Sequence, residues 1–229
     1  MIWRGLTKTL RLGRFFFPCA LAWGLTACQS GGPMQTLGPW GASLQALWSE
    51  PPVHWDRLSD QYDYLLLRLQ GRDAVMVQGG RGAAGQQDWF SARREWLRLQ
   101  GGRIVGLQGM GHDWHAVRGQ PPDWAQVDAA PLRWTRERDV MPGYRFGVVD
   151  QITTRVGVAP TSGLPPRLQP QPHWRWYEED VQSTDAQGQP WAFTQRFALA
   201  QGQVVYSEQC VAPQWCLQMM PRAAAGAGR

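Results

Sequence analysis

Lysine is almost absent from this chain: of 229 residues only Lys8 is one, and every other base is arginine. Four of the 23 bases fall within residues 1–27, where no acid stands, and beyond them 19 bases meet 18 acids. The formal charge of +5 is thus mostly an N-terminal property, and it gives no support for nucleic-acid binding. Cysteine is scarce too, with Cys19, Cys28, Cys210 and Cys216 only. No HExxH or CxxC spacing occurs, so the sequence names no zinc or thiol-redox motif. Ser207 lies in no G-x-S-x-G elbow. The Gly-rich "QGGRGAAGQQ" lacks the Lys-Ser/Thr ending of a phosphate loop and reads as a hairpin loop. No repeat of fixed length is seen. The apolar run Phe15–Trp23 is too short for a permanent membrane helix.

What stands around that run is informative. Arg4, Lys8, Arg11 and Arg14 form a basic start, and the apolar run ends in Leu25-Thr26-Ala27-Cys28. This is the order of a secretory signal closed by a lipobox. Residues 1–27 are therefore expected to be a lipoprotein signal peptide, and Cys28 the lipidated residue. Its thiol would take a diacylglycerol group and its freed amine an acyl chain, since several chains are needed for stable anchoring. Gln29 follows where an Asp would retain the protein at the inner membrane, so the expected location is the periplasmic face of the outer membrane. With Cys19 removed and Cys28 lipidated, Cys210 and Cys216 are expected to pair as a disulfide in an oxidising compartment.

Residues 28–39, "CQSGGPMQTLGP", read as a flexible tether. "WGASLQALWSE" predicts a short helix ended by Pro51-Pro52. Thereafter the pattern has a period of two. "YDYLLLRLQ" places Leu65, Leu67 and Leu69 on one face, and "DAVMVQ" follows a Gly71-Arg72 turn. Gly101-Gly102 between "EWLRLQ" and "RIVGLQGM" is a hairpin signal, and His112–Arg118 predicts another strand. "RGQPPDWAQVDAAP" is a loop with one helical turn. "LRWTRERDV" and "YRFGVVDQITTRVGVAP" return to strand. Residues 160–172, with five prolines, form a long surface loop. "HWRWYEEDVQS", "WAFTQRFALA" and "VVYSEQCVA" complete an antiparallel meander with one buried side. Residues 40–221 are expected to form one β domain and 222–229 a disordered tail.

Candidate chemistry is sparse. His112 and His115 lie at i and i+3, which on a strand face opposite ways, so no metal site is expected. In Glu178-Glu179-Asp180 the outer two share a face, and an arginine partner is expected for them rather than a glycosidase role. Twelve of the fourteen tryptophans lie beyond the signal segment. Indole rings fill cores and stack on sugars equally well. Trp96, Trp134, Trp174, Trp176 and Trp191 are expected to be core or half-buried. Trp124, with Trp55 and Trp114 behind it, is the candidate for an exposed ring. Trp174 and Trp176 flank Arg175 on one face, so Trp124, Trp174, Arg175 and Trp176 are the candidate glycan contacts, provided that face is open.

The chain also resembles the YjbF/GfcB lipoproteins of group 4 capsule and exopolysaccharide production. The likeness begins at Cys28 and "LQALWSE" and runs through "YLLLRLQ…AVMVQ", "QDWFSARREWLRLQGGRIVGLQGM" and "LRWTRERDVMPGYRFGVVDQITT". It ends with "WYEEDVQSTDAQGQPWAFTQRFALAQGQVVYSEQ". The loop 160–172 is longer than the family's pattern, and the Cys210/Cys216 pair departs from it. The resemblance implies a mainly β fold, a meandering antiparallel sheet curled into a half or partial barrel. It implies a non-enzymatic accessory in polysaccharide export or assembly, with periplasmic and outer-membrane partner proteins from the same gene cluster. No cofactor, metal or catalytic residue comes with it. A second expectation is a binding module that holds a glycan or a lipid in a concave, Trp-rich face.

Overall fold

The computed structural model describes His54 and residues 57–166, 168–185 and 187–222. The expected helix over residues 40–50, the tether and the segment 223–229 lie outside the described residues. Twelve strands follow one another: β1 (Tyr64–Leu69), β2 (Arg72–Arg81), β3 (Gln87–Ser91), β4 (Trp96–Gln100), β5 (Arg103–Gln108) and β6 (Asp113–Gly119). One helical turn, α1 (Trp124–Val127), precedes β7 (Leu132–Met141), β8 (Arg145–Val156), β9 (Arg175–Thr184), β10 (Pro190–Ala200), β11 (Gln203–Ala212) and β12 (Trp215–Arg222). Every strand pairs antiparallel with its sequence neighbours, and β1 pairs with β12.

The turns show why the meander forms. Gln70-Gly71, Gly101-Gly102 and Gln201-Gly202 are two-residue connections with positive φ at both positions. Such turns match the right-handed twist of the strands they join. Gly102 is doubly required, because a Cβ there would stand 2.5 Å from Val204.

The sheet is a closed barrel, not the half or partial barrel expected. Tyr64–Leu69 pair in continuous register with Leu217–Arg222. The C-terminal strand was not legible as one, and Arg222, assigned to the tail, belongs to it. Closure follows from edge chemistry: "YLLLRL" and "WCLQMMPR" would each expose a row of unpaired backbone groups, and each satisfies the other. The expected disulfide is present: Cys210 and Cys216 face each other across β11 and β12.

The interior has two characters. Leu65, Leu67 and Leu69, the predicted stripe, pack with Met76, Trp89, Leu97, Ile104, Leu107 and Leu217 in one apolar cluster. The strands β7–β11 instead send Arg136, Arg138, Asp150, Thr154, Glu179, Gln195, Ser207 and Gln209 into buried positions. Opposite walls are tied across the interior. Gln209 on β11 accepts from the Ile104 N–H at 2.9 Å and donates to the Gly102 carbonyl at 2.7 Å. The Trp114 indole on β6 donates to the Val211 carbonyl on β11 at 3.2 Å.

The outside of β8–β11 carries an ion-pair ladder. Arg155 contacts Glu178 and bonds Asp180 at 3.1 Å, and Arg196 reaches Glu208 at 3.5 Å. The two outer acids of Glu178-Glu179-Asp180 thus have the predicted arginine partner. A transmembrane barrel has an apolar outer band, so this wall is built to face water or protein.

Candidate functional site

The deepest chemistry of the barrel is a set of ion pairs that bind its walls together. Arg138 donates through Nε and Nη2 to both oxygens of Asp150, at 2.8 and 2.9 Å. Arg136 donates through Nε to the same carboxylate at 2.8 Å. Both guanidinium groups lie over the Trp114 ring, 4.6 and 4.2 Å from its centroid. Burial pushes the Asp150 carboxyl up, but the Arg136 charge and the Arg138 hydrogen bond outweigh it and hold the group below its ordinary value. Burial in turn pulls Arg136 down, against the opposing pull of Asp150.

A second set crosses the interior. Arg103 on β5 donates from Nε to Glu179 on β9 at 2.8 Å. Thr154 donates to the same oxygen at 3.0 Å, and the Trp134 indole donates to Thr154 at 2.9 Å. The Trp124 ring, carried by α1, lies 3.6 Å from the Arg103 guanidinium carbon and closes over it.

These residues lie beneath an opening in the wall. Strands β5 and β6 share one residue pair, Leu107↔Trp114, whereas β7 and β8 share eight. A register shift between His115 and Arg118 and the positive φ of Ala116 turn β6 away from β5. The result is a cleft of about 260 Å3 between β5 and β6. Arg98, Arg103, Arg118 and Arg136 line it, together with Trp96, Trp114 and Trp134. Among the described residues, no Asp or Glu lines it. The acids that hold the four arginines, Asp88, Glu179, Glu137 and Asp150, lie outside the lining. Arg103 and Arg136 form its buried floor; the Arg136 Nη2 atom lies 2.8 Å from Asp150, whereas the Arg103 Nη2 atom has no hydrogen-bond acceptor. Trp96 is fixed at one lip by donating to Asp88 at 2.8 Å.

The candidate glycan contacts are placed elsewhere and do not converge. Trp174 and Trp176 share one face, as the alternation requires, but that face is covered. Trp176 meets Tyr206 over the small Ala198 between them, and Leu164 and Leu168 of the proline-rich loop pack on top. Arg175 turns away to Asp128 at 2.7 Å. Trp124 packs on Tyr177 and Phe197 and lines a cavity of about 390 Å3 at one mouth of the barrel. Trp114, taken as a candidate exposed ring, is fully buried, and Trp55 lies outside the described residues.

The opening at β5–β6 was not legible, because it depends on a ladder that fails. The arginine-tryptophan spacing of "EWLRL" and "LRWTRER" was its one trace in the sequence. Gly80, Gly82 and Gly85 happen to match a dinucleotide-binding glycine spacing, but they join two antiparallel strands through a 3-10 turn. No helix receives a pyrophosphate there.

The fold and site define a class: a twelve-stranded meander barrel with a filled, ion-paired interior, a charged outer wall and an arginine-rich cleft in its side. The chain belongs to the YjbF family, the group 4 capsule polysaccharide lipoproteins (gfcB, YjbF), whose model matches residues 58–220. Among solved structures, the hypothetical lipoprotein YmcC from Escherichia coli (K12) has a similar fold, with a TM-score of 0.57 at 19% identity. The likeness covers 79% of this chain and 94% of that one. No curated protein sequence matches the chain.

Proposed function

We propose that this protein is a non-enzymatic accessory of capsule or exopolysaccharide export, anchored by lipid at Cys28 to the periplasmic face of the outer membrane. The observation that carries this reading is the family match, which spans all twelve strands except the last residues of β12. Two features of the barrel support a non-catalytic role. Its inward carboxylates, Asp150 and Glu179, are each locked to arginine, and Asp150 is held ionised. A carboxylate fixed in this way is a poor proton donor near neutral pH. Beyond the cavity at its mouth the interior is crossed by side chains and packed, which argues against a carrier that threads an acyl chain along the barrel axis. The charged ladder on β8–β11 offers a surface for the periplasmic and outer-membrane partner proteins of a polysaccharide export cluster.

The test is a deletion of the gene, complemented with wild-type protein or Cys28→Ala. Surface polysaccharide is expected to fall on deletion and to return only with the wild type. The Cys28→Ala protein is expected in the soluble periplasmic fraction. Membrane retention of that variant would overturn the anchor, and unchanged surface polysaccharide on deletion would overturn the accessory role.

A further inference from the structure

We propose that the cleft between β5 and β6 binds a carboxylate-bearing sugar unit of a polysaccharide chain. This rests on the accessory role above and names a ligand chemistry for one particular place on the barrel.

Charge is the first argument. Four arginines and no carboxylate face a cleft of about 260 Å3, and His115 is the other ionisable side chain on the lining. Each of these arginines has an acid partner behind the lining, but Arg136 and Arg138 share the single carboxylate of Asp150, which leaves one positive charge at the floor. Guanidinium groups donate charge-assisted hydrogen bonds to carboxylates. Arg103 and Arg136 are fixed in the floor by Glu179 and Asp150, so a bound anion need not order them. Arg118 stands at the rim, 62% exposed, and its exposed partner Glu137 holds it at 2.8 Å.

The rings are the second argument. Trp96 and Trp134, both half-buried, line the same cleft as the arginines, while the fully buried Trp114 lies beneath the Arg136 and Arg138 guanidinium groups and offers no open face. Gly106 lets the Trp96 indole lie against β5, for a Cβ there would stand 2.6 Å from its ring. Flat rings beside cationic donors suit a pyranose that presents C–H groups on one face and a carboxylate at its edge. An acyl chain would need an apolar slot instead.

Size and access are the third. The cleft is at the small end of ligand sites, which suits one sugar ring rather than a folded oligomer. It opens through the side of the barrel, so a polymer can lie across it and insert one unit. The covered face of Trp174 and Trp176 offers no such access.

The experiment uses the full-length lipoprotein in detergent, with tryptophan fluorescence as the readout. The probes are tetragalacturonate and its fully methyl-esterified form, which keeps the rings and loses the charge. Tetragalacturonate is expected to bind at least about tenfold more tightly than the ester, the worth of one charge-assisted hydrogen bond. Arg118→Glu is expected to weaken it about fivefold at unchanged melting temperature, because the replaced pair is a surface one. Equal binding of acid and ester, no binding of either, or displacement by equimolar inorganic phosphate would overturn the assignment. The deletion strain separates the two levels. If surface polysaccharide is lost on deletion but tetragalacturonate does not bind, the cleft assignment fails alone. If deletion changes nothing, the accessory role fails whatever the cleft binds.

Discussion

Arg103 and Glu179, 76 residues apart in sequence, meet at 2.8 Å inside the barrel, with 5% and 0% of their side chains exposed. Neither neighbours the other in the strand order, so the pair is a strut between separate parts of the wall. Desolvating both ions is costly, and the bond returns that cost only while both partners are present.

Removing one partner should therefore be worse than removing both. Arg103→Met or Glu179→Gln alone is expected to destabilise the barrel by about 3–5 kcal/mol. The double variant is expected to lose clearly less than the sum of the two. Urea unfolding of the four proteins checks this, and additive losses would show that the strut is not a unit.

Stability should fall with acid in two stages. His112 packs at 4.6 Å against Trp215, and burial lowers its folded value, opposed by the nearby Asp113. Below about pH 6.5 the unfolded chain takes up a proton that the folded one resists, so stability declines as pH falls through that range. Asp150 is depressed in the fold, so its contribution is intact above about pH 3.9 and is lost as pH falls through its lower folded value. Unfolding free energies at pH 7.5, 5.5 and 3.5 should decrease in that order, and His112→Gln should flatten only the first step.

Closure of the barrel has a direct chemical test. Leu66 and Met220 are opposite each other across the β1–β12 seam. Directly opposed antiparallel residues lie about 4.5–5.5 Å apart, within reach of a disulfide. Leu66→Cys with Met220→Cys is expected to cross-link on mild oxidation, seen by peptide mapping after digestion. A sheet open at this seam would leave both thiols free.

The native disulfide should be a modest brace. Cys210 and Cys216 are six residues apart and close a hairpin already held by its strands. Chain entropy for so short a loop assigns it about 2 kcal/mol. Cys210→Ser with Cys216→Ser is expected to fold and to melt several degrees lower in calorimetry.

The strands were largely legible because their signals are local. Alternation put Leu65, Leu67 and Leu69 on the inner face, and glycine marked the tight turns at residues 71 and 101–102. Glu178 and Asp180 were separated from Glu179 by the same period, and the fold sends Glu179 inward. Which arginine would meet it could not be read, since Arg103 comes from a distant strand. Trp114 illustrates the same limit. Its neighbours in sequence are polar, yet two guanidinium groups and the β11 backbone enclose it.

The order of amino acids alone specifies a period-two chain with hairpin turns, an expected Cys210–Cys216 pair, and the succession of segments that marks its family. These follow from short-range chemistry, from side-chain alternation to turn geometry. Tertiary structure alone decided that β1 and β12 close the sheet and that Trp174 and Trp176 are covered. It also decided that β5 and β6 part to leave four arginines around a cleft. Each of those depends on register between residues far apart in the chain, and the local pattern of either strand does not encode it.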